Sequence, residues 1–306
     1  MLLQPELLSQ LAPLELRARK IVEGFISGLH KSPHHGFSVE FAEHRPYNTG
    51  DDFKHIDWKV YAKTERFYVK QFEEETNLRC YVLLDTSSSM FYKYFGAWTK
   101  LRYGIHFGAA LMYLMHRQRD ACGLVTFSEN IENFVPAKSS YSHLRMVFTE
   151  LEQLLDREKE GAEEKRKTAT AKVIHEVAER LNHRSLVVIL TDLFENVDQH
   201  DQLISSLKHL RHRKHEVLLF NVMEEQSERD LDFPDRRLMM QDMETGSQIE
   251  IMPAQVREDY KKKVEELTHR FKMACSEFQI DFEQLDTQSD FDLSLLAYLN
   301  KRKRLG

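Results

Sequence analysis

Four short apolar runs recur along the chain: Leu78–Leu84 (LRCYVLL), Ala121–Phe127 (ACGLVTF), Ser185–Leu190 (SLVVIL) and Glu216–Val222 (EVLLFNV). Each is apolar at nearly every position, as a strand covered on both faces should be. Between them the hydrophobic period changes to that of a helix. Lys100–Arg117 carries Leu101, Ile105, Ala109, Met112 and Met115 on one side, and Gly104 and Gly108 let that helix approach a sheet closely. Leu144–Leu155, Ala169–Leu181 and Gln202–Arg211 show the same kind of stripe, and Ile131–Val135 reads as an edge or connecting strand. Alternation of strand and helix implies a mostly parallel sheet with right-handed crossovers, which binds ligands beyond the carboxyl ends of its strands.

The flanks are patterned differently. Pro13–Leu29 predicts an amphipathic helix with Leu14, Ala18, Ile21, Val22, Phe25 and Leu29 inward. His34–Trp58 is rich in turn formers, with a short strand at Phe37, Val39 and Phe41 and a turn at Asn48–Asp52. Its ionisable residues Arg45, Asp51, Asp52, His55 and Asp57 are either turn caps on a surface loop or a functional cluster. Phe67–Phe72 is a further strand. Toward the other end, Leu238–Met252 predicts a hairpin around Glu244-Thr245-Gly246-Ser247. Gln255–Phe278 reads as a long helix with Tyr260, Val264, Leu267, Phe271 and Ala274 inward, then come a strand at Asp281–Leu285 and a closing helix at Leu293–Leu299. The division expected is a segment at 1–76, with helix, loop and strand, and an α/β domain at 77–306.

Composition narrows the class. With 306 residues, 42% hydrophobic, the chain has enough apolar side chain for a large core, and a net charge of −6 gives no global nucleic-acid footprint. Neither the basic tail Lys301–Arg304 nor the charge run Asp156–Lys167 is given a role. The three cysteines show no CxxC spacing, and Cys80 and Cys122 fall inside apolar runs, so core thiols are expected. No stretch reaches the roughly 18 apolar residues of a membrane span, and the start MLLQPELLSQ lacks the features of a signal peptide. A cytoplasmic protein is expected.

The chemistry sits at the strand ends. The first core run leads into Asp85-Thr86-Ser87-Ser88-Ser89, which puts three oxygen donors, Asp85, Ser87 and Ser89, at alternate positions of one loop. Hard oxygens suit Mg²⁺, or else Mn²⁺ or Ca²⁺. Asp192 ends a second parallel strand, and Thr168 or Thr170 precedes that strand's crossover helix. A helix N-cap is the alternative use of the serine-rich turn. A metal-dependent phosphatase or phosphotransferase is the competing chemistry, but Ser87 stands where such an enzyme needs a second acid. No GxxxxGK[ST], GxSxG, HExxH or GxGxxG occurs. His209, His212 and His215 flank basic residues and read as a cationic helix end.

These residues resemble the metal-ion-dependent adhesion site of von Willebrand factor type A domains, Asp-x-Ser-x-Ser followed by a distant Thr and a distant Asp. Here that pattern is Asp85, Ser87, Ser89, then Thr168 (counting back from the helix places it ahead of Thr170), then Asp192. Upstream, RPYNTGDDFKHIDW followed by VKQFEEE resembles the stretch that defines the bacterial domain of unknown function 58 family. Its motif residues are Arg45, Tyr47, Gly50, Asp51, Asp52, Asp57 and Trp58. The resemblance implies a type A-like (Rossmann-like) fold behind a small helix-plus-strand extension. It also implies a non-catalytic, divalent-metal-dependent protein-interaction module. The partner implied is one offering an Asp or Glu to the metal, a MoxR-type AAA ATPase, in protein assembly or chaperone-like activity. A metal-free scaffold is the remaining alternative.

Overall fold

A computed structural model describes residues 14–19, 22, 44–46, 58–64, 66–70, 78–160, 166–181, 184–193 and 200–289. The chain divides into two compact units, Met1–Ile26 with Leu78–Gly306, and Ser27–Asn77. The N-terminal helix (α1, residues 14–19) therefore groups with the α/β body and not with the loop region that follows it.

The body is a mixed α/β unit around six strands: β3 (Arg79–Asp85), β4 (Ala121–Phe127), β5 (Ile131–Lys138), β6 (Ser185–Thr191), β7 (Glu216–Met223) and β10 (Asp281–Asp286). Their order is β10-β7-β6-β3-β4-β5. All neighbours are parallel except the edge strand β5, which runs antiparallel to β4. Helices α3 (Lys100–Arg117), α4 (Tyr141–Glu160), α5 (Thr170–Arg180), α6 (His200–His212) and α7 (Pro253–Glu277) make the crossovers.

The apolar runs are continuous because both faces of the sheet are covered. In β3, Cys80, Val82 and Leu84 join the core formed with α3 and α4, while Tyr81 and Leu83 join the opposite core with α5, α6 and α7. This is strand alternation read on a two-sided sheet. Burying one such Leu side chain contributes about 1.5–3 kcal/mol. The close approach of α3 is real: a Cβ on Gly108 would meet Val82 Cγ1 at 3.2 Å and Leu190 Cδ1 at 3.3 Å. Leu14, Ala18 and Val22 pack into the α3–α4 core as their spacing predicts, and Glu152 accepts a hydrogen bond from Leu14 N at 3.0 Å. Cys80, Cys122 and Cys275 are buried free thiols. Along α7 the buried side is narrower than its stripe suggests, with only Phe271 and Cys275 joining Pro253 as fully buried residues.

The hairpin forms where expected, as β8 (Leu238–Gln241) and β9 (Gln248–Ile251). The serine-rich loop is followed by a single 3₁₀ turn, Ser88–Phe91, and α3 spans Lys100–Arg117 as its stripe predicts. Thr99 caps α3, accepting from Arg102 N at 3.0 Å. The serine loop lies a 3₁₀ turn and an irregular stretch upstream of that cap.

In the smaller unit, β1 (His44–Pro46) pairs antiparallel with β2 (Tyr68–Lys70), within the strand expected at Phe67–Phe72, of which residues 71–72 lie outside the described residues. Between them lies α2 (Trp58–Thr64). Tyr61 stacks on Phe67 with ring centroids 4.4 Å apart, and Trp58 packs edge-on against Tyr61. The expected strand at Phe37–Phe41 and the closing helix at Leu293–Leu299 lie outside the described residues.

Candidate metal and carboxylate site

The sheet reverses its direction of growth at β3, because β4 is added on one side and β6 on the other. Such a switch point opens a crevice at the carboxyl ends of the strands. Leu84 lies level with Leu190, so Asp85 and the pair Thr191–Asp192 leave the sheet together. All three are fully buried. Asp85 Oδ1 accepts from Ser87 N at 2.9 Å and Oδ2 from Thr191 Oγ1 at 2.5 Å. Burial, then the Asp192 carboxylate, pushes the Asp85 carboxyl up to about 8, against the pull of those hydrogen bonds. Two acids in one dry pocket favour a compensating cation.

The loop after β3 splits its side chains by parity. Thr86 and Ser88 fasten the backbone. Thr86 Oγ1 donates to Phe127 O at 2.8 Å. Ser88 N donates to Arg166 O at 3.0 Å, and Ser88 Oγ accepts from Arg166 N at 2.7 Å. Asp85, Ser87 and Ser89 stay for the crevice, with the Ser87 and Ser89 hydroxyls 3.1 Å apart. Ser87 makes no side-chain capping bond. The Arg166 bonds also give the end of the charge run a role the sequence did not suggest, since they bring the segment before α5 alongside this loop.

Thr168 belongs to that segment. Its hydroxyl donates to Glu244 Oε1 at 2.6 Å and its N–H to Glu244 Oε2 at 3.1 Å. Ser89 Oγ donates to the same Oε1 at 3.1 Å. Glu244, at the tip of the β8–β9 hairpin, thus connects Thr168 to the serine loop. Thr170 lies buried at the first position of α5.

Sequence reasoning missed a second carboxylate network. Lys100 is 1% exposed, and its Nζ bonds Asp192 Oδ2 at 2.5 Å and Glu228 Oε1 at 2.6 Å. Burial works against its charge, but Asp192 and Glu228 outweigh burial and hold the ammonium above its ordinary value. Glu228 Oε2 accepts from Glu224 N at 2.7 Å. Glu224, fully buried, gathers the loop before α3, its Oε1 accepting from Tyr94, Phe95 and Gly96 N–H groups at 3.1, 3.0 and 2.7 Å. Ser227 donates to its other oxygen. Burial would raise the Glu224 carboxyl, but these donors hold it below its ordinary value. One local signal existed for Lys100: a cation in the first turn of a helix opposes the helix dipole and calls for a partner.

The donor set fits a small hard cation. Asp85, Ser87, Ser89 and Thr168 offer oxygen alone, and the repulsion between Asp85 and Asp192 favours one. Asp192 already gives one oxygen to Lys100, so its share would come through the other oxygen or through water. Both Asp85 oxygens accept hydrogen bonds, which orient the carboxylate. Of the upstream motif, Arg45 falls in β1 and Trp58 opens α2, 58% exposed. Tyr47, Gly50, Asp51, Asp52 and Asp57 lie outside the described residues.

The basic end of α6, read as cationic from its sequence, meets Glu179 of α5. His209 Nε2 lies 2.7 Å from Glu179 Oε1, and His175 stacks on His209. One ligand atom from each of these three residues falls within 4.8 Å of the others. Arg213 Nη1 also donates to Glu179 at 2.9 Å, so the acid there already has a cation.

An uncharacterized protein of Mycobacterium tuberculosis is 26% identical over 259 residues, covering 84% of this chain and 77% of its own length, and one of Mycobacterium bovis matches equally. Among solved structures, an aerotolerance-related membrane protein from Bacteroides fragilis is similar at TM-score 0.46 and 14% identity, over 73% of this chain and 99% of that one. A von Willebrand factor type A protein from Catenulispora acidiphila is similar at TM-score 0.30 and 13% identity, over 48% and 34% of the two chains. The cytoplasmic placement expected from the sequence is corrected by the first of these structures, which is named as a membrane protein. Among the described residues no helix is long and apolar enough to cross a membrane. The family pattern described as "Protein of unknown function DUF58" matches residues 43–270, and the chain belongs to that family.

Proposed function

We propose that the chain is a non-catalytic protein-interaction module that takes a partner's carboxylate through a divalent cation, Mg²⁺ or else Mn²⁺ or Ca²⁺. Asp85, Ser87, Ser89 and Thr168 would hold the cation, with Asp192 behind them. When bound, the cation supplies an electrophile that neutral hydroxyl ligands leave attractive to an incoming Asp or Glu. The observation that carries this reading is the gathering of the Ser87 and Ser89 hydroxyls beside buried Asp85, at the switch point of the sheet.

The chain's own residues prepare the site. Thr191 and the Ser87 N–H orient Asp85, Ser88 and Arg166 hold the Thr168 segment against the serine loop, and Lys100 neutralises Asp192. The family resemblance supports a MoxR-type AAA ATPase as the partner. Two measurements test the proposal: thermal unfolding across a Mg²⁺ titration, and capture of the cognate ATPase with and without chelator. Mg²⁺ at a hundred times its Kd should stabilise the wild type by about 2.7 kcal/mol, and Asp85→Asn should lose both this gain and the capture. If the wild type melts and binds identically with and without Mg²⁺, the chain is a metal-free scaffold.

A further inference from the structure

We propose that Glu244 is the site's own carboxylate ligand, held in the position that a partner's Asp or Glu takes, so that the β8–β9 hairpin must withdraw before a partner docks. This rests on the reading of the crevice as a carboxylate-docking site. Three donors from two distant segments converge on this one side chain: Thr168 Oγ1 at 2.6 Å, Thr168 N at 3.1 Å and Ser89 Oγ at 3.1 Å. The two hydroxyls are those the metal motif assigns to its own loop and to its distant threonine. A carboxylate addressed by both stands where an external acid would have to arrive.

The hairpin tip is built to present that acid. Asp242 Oδ1 accepts from Glu244 N at 2.8 Å, and Asp242 Oδ2 accepts from Thr245 Oγ1 at 2.5 Å. Gly246 N donates to Asp242 O at 2.8 Å, with Gly246 at φ 76°, a left-handed conformation that glycine adopts without steric cost. Glu244 is thus set by its own turn before it meets the crevice.

The rest of the hairpin is built to leave. Its strands have four residues each, a length at which a two-stranded hairpin is marginal alone. Met239 and Ile249 are 61% and 64% exposed. One face of the hairpin is thus open, the other (Leu238, Met240, Ile251) is only half-buried, and the tip is attached through a contact that a competing carboxylate can replace one for one. The partner chemistry this fits is an acidic side chain on an exposed segment, matched against Glu244 for the same donors.

The experiment uses the full chain with Mn²⁺ as the probe, in wild type, Glu244→Gln and Glu244→Ala. In metal-free protein, amide hydrogen exchange at Thr168 and residues 241–248 should rise at least about tenfold in Glu244→Ala, the loss of roughly 1.4 kcal/mol or more of local protection. With Mn²⁺ bound, water-proton relaxivity per ion should be about twofold higher in both variants, as a second water joins an octahedral ion that keeps one beside Asp85, Ser87, Ser89, Thr168 and Glu244. Added acetate should lower that relaxivity in the variants and leave the wild type unchanged. Unaltered exchange at Thr168 in Glu244→Ala overturns the contact itself. Normal Mn²⁺ binding with equal relaxivity in all three proteins overturns Glu244 as a ligand and leaves the metal reading standing. Failure of every form to bind Mn²⁺, with Thr168 exchange raised, overturns the metal reading and retains Glu244 only as a latch on the hydroxyls.

Discussion

The crevice at the ends of β3 and β6 balances its two buried acids by opposite means. On the β6 side, Asp192 meets a buried ammonium, and Lys100 shares its charge with Glu228. On the β3 side, Asp85 meets neutral donors, the Ser87 N–H and the Thr191 hydroxyl, with further hydroxyls on Ser87 and Ser89 beside it. A carboxylate with a cation built into the fold is a structural part. A carboxylate ringed by neutral donors has no such partner in the fold, and the cation proposed for it would keep its charge among neutral ligands. The difference separates what holds the crevice together from what it is open to.

The largest effect should come from removing the built-in cation. Lys100→Met leaves Asp192 and Glu228 facing each other in a buried pocket, at an expected cost of about 3–5 kcal/mol in urea unfolding. Adding Asp192→Asn and Glu228→Gln to that variant should recover part of the loss, since no charge is then buried alone. An unaltered midpoint in Lys100→Met would erase the distinction between the two halves.

Acid separates the crevice from the rest of α3. His106, 3% exposed, accepts from Arg17 Nη1 at 2.7 Å and donates to Arg102 O at 2.8 Å, with Trp98 at 4.5 Å between ring centroids. Burial, then the charges of Arg17 and Arg102, lowers it from 6.5 to about 4. The fold therefore requires neutral His106, while the unfolded chain takes up a proton from pH 6.5 downward. This contribution is complete above pH 6.5 and is lost as the pH falls to about 4, a change of roughly 3 kcal/mol. His106→Gln should flatten that part of the stability–pH curve. Glu224 has a lower window: its carboxyl is held below the ordinary 4.5, so its contribution is present above that value and lost as the pH falls through the folded one.

Glu224→Gln should cost about 2 kcal/mol at neutral pH, because one uncharged oxygen then serves the three N–H groups of Tyr94, Phe95 and Gly96 less well. Hydrogen exchange at residues 94–96 should rise before exchange in β3. The smallest effect belongs to the exposed hairpin face. Met239→Ser and Ile249→Ser should stay within about 0.5 kcal/mol of the wild type in thermal unfolding, since both side chains are exposed.

Much of the fold is legible in the chain because its signals are local. The apolar runs name β3, β4, β6 and β7, the 3.6-residue stripes name α3 to α6, and Glu244-Thr245-Gly246-Ser247 marks the β8–β9 turn. The metal motif is partly legible for the same reason: Asp85, Ser87 and Ser89 alternate along an extended loop, and only the fold shows that Thr86 and Ser88, in the same run, serve the backbone. The single 3₁₀ turn at Ser88–Phe91 was not legible, since nothing local says that the serine hydroxyls are engaged away from a helix end.

Sequence alone determined the strand–helix alternation, the paired acids at strand ends and the hairpin, because hydrophobic period and turn chemistry act over a few residues. Tertiary structure alone decided which charges meet. Lys100 finds Asp192 and Glu228, Glu224 gathers the Tyr94–Gly96 amides, and Glu244 reaches Ser89 and Thr168 across more than seventy residues of chain. Such pairs form where strand order and crossovers bring buried ends together. A buried charge must then be paired or hydrogen-bonded by whatever the topology has placed beside it.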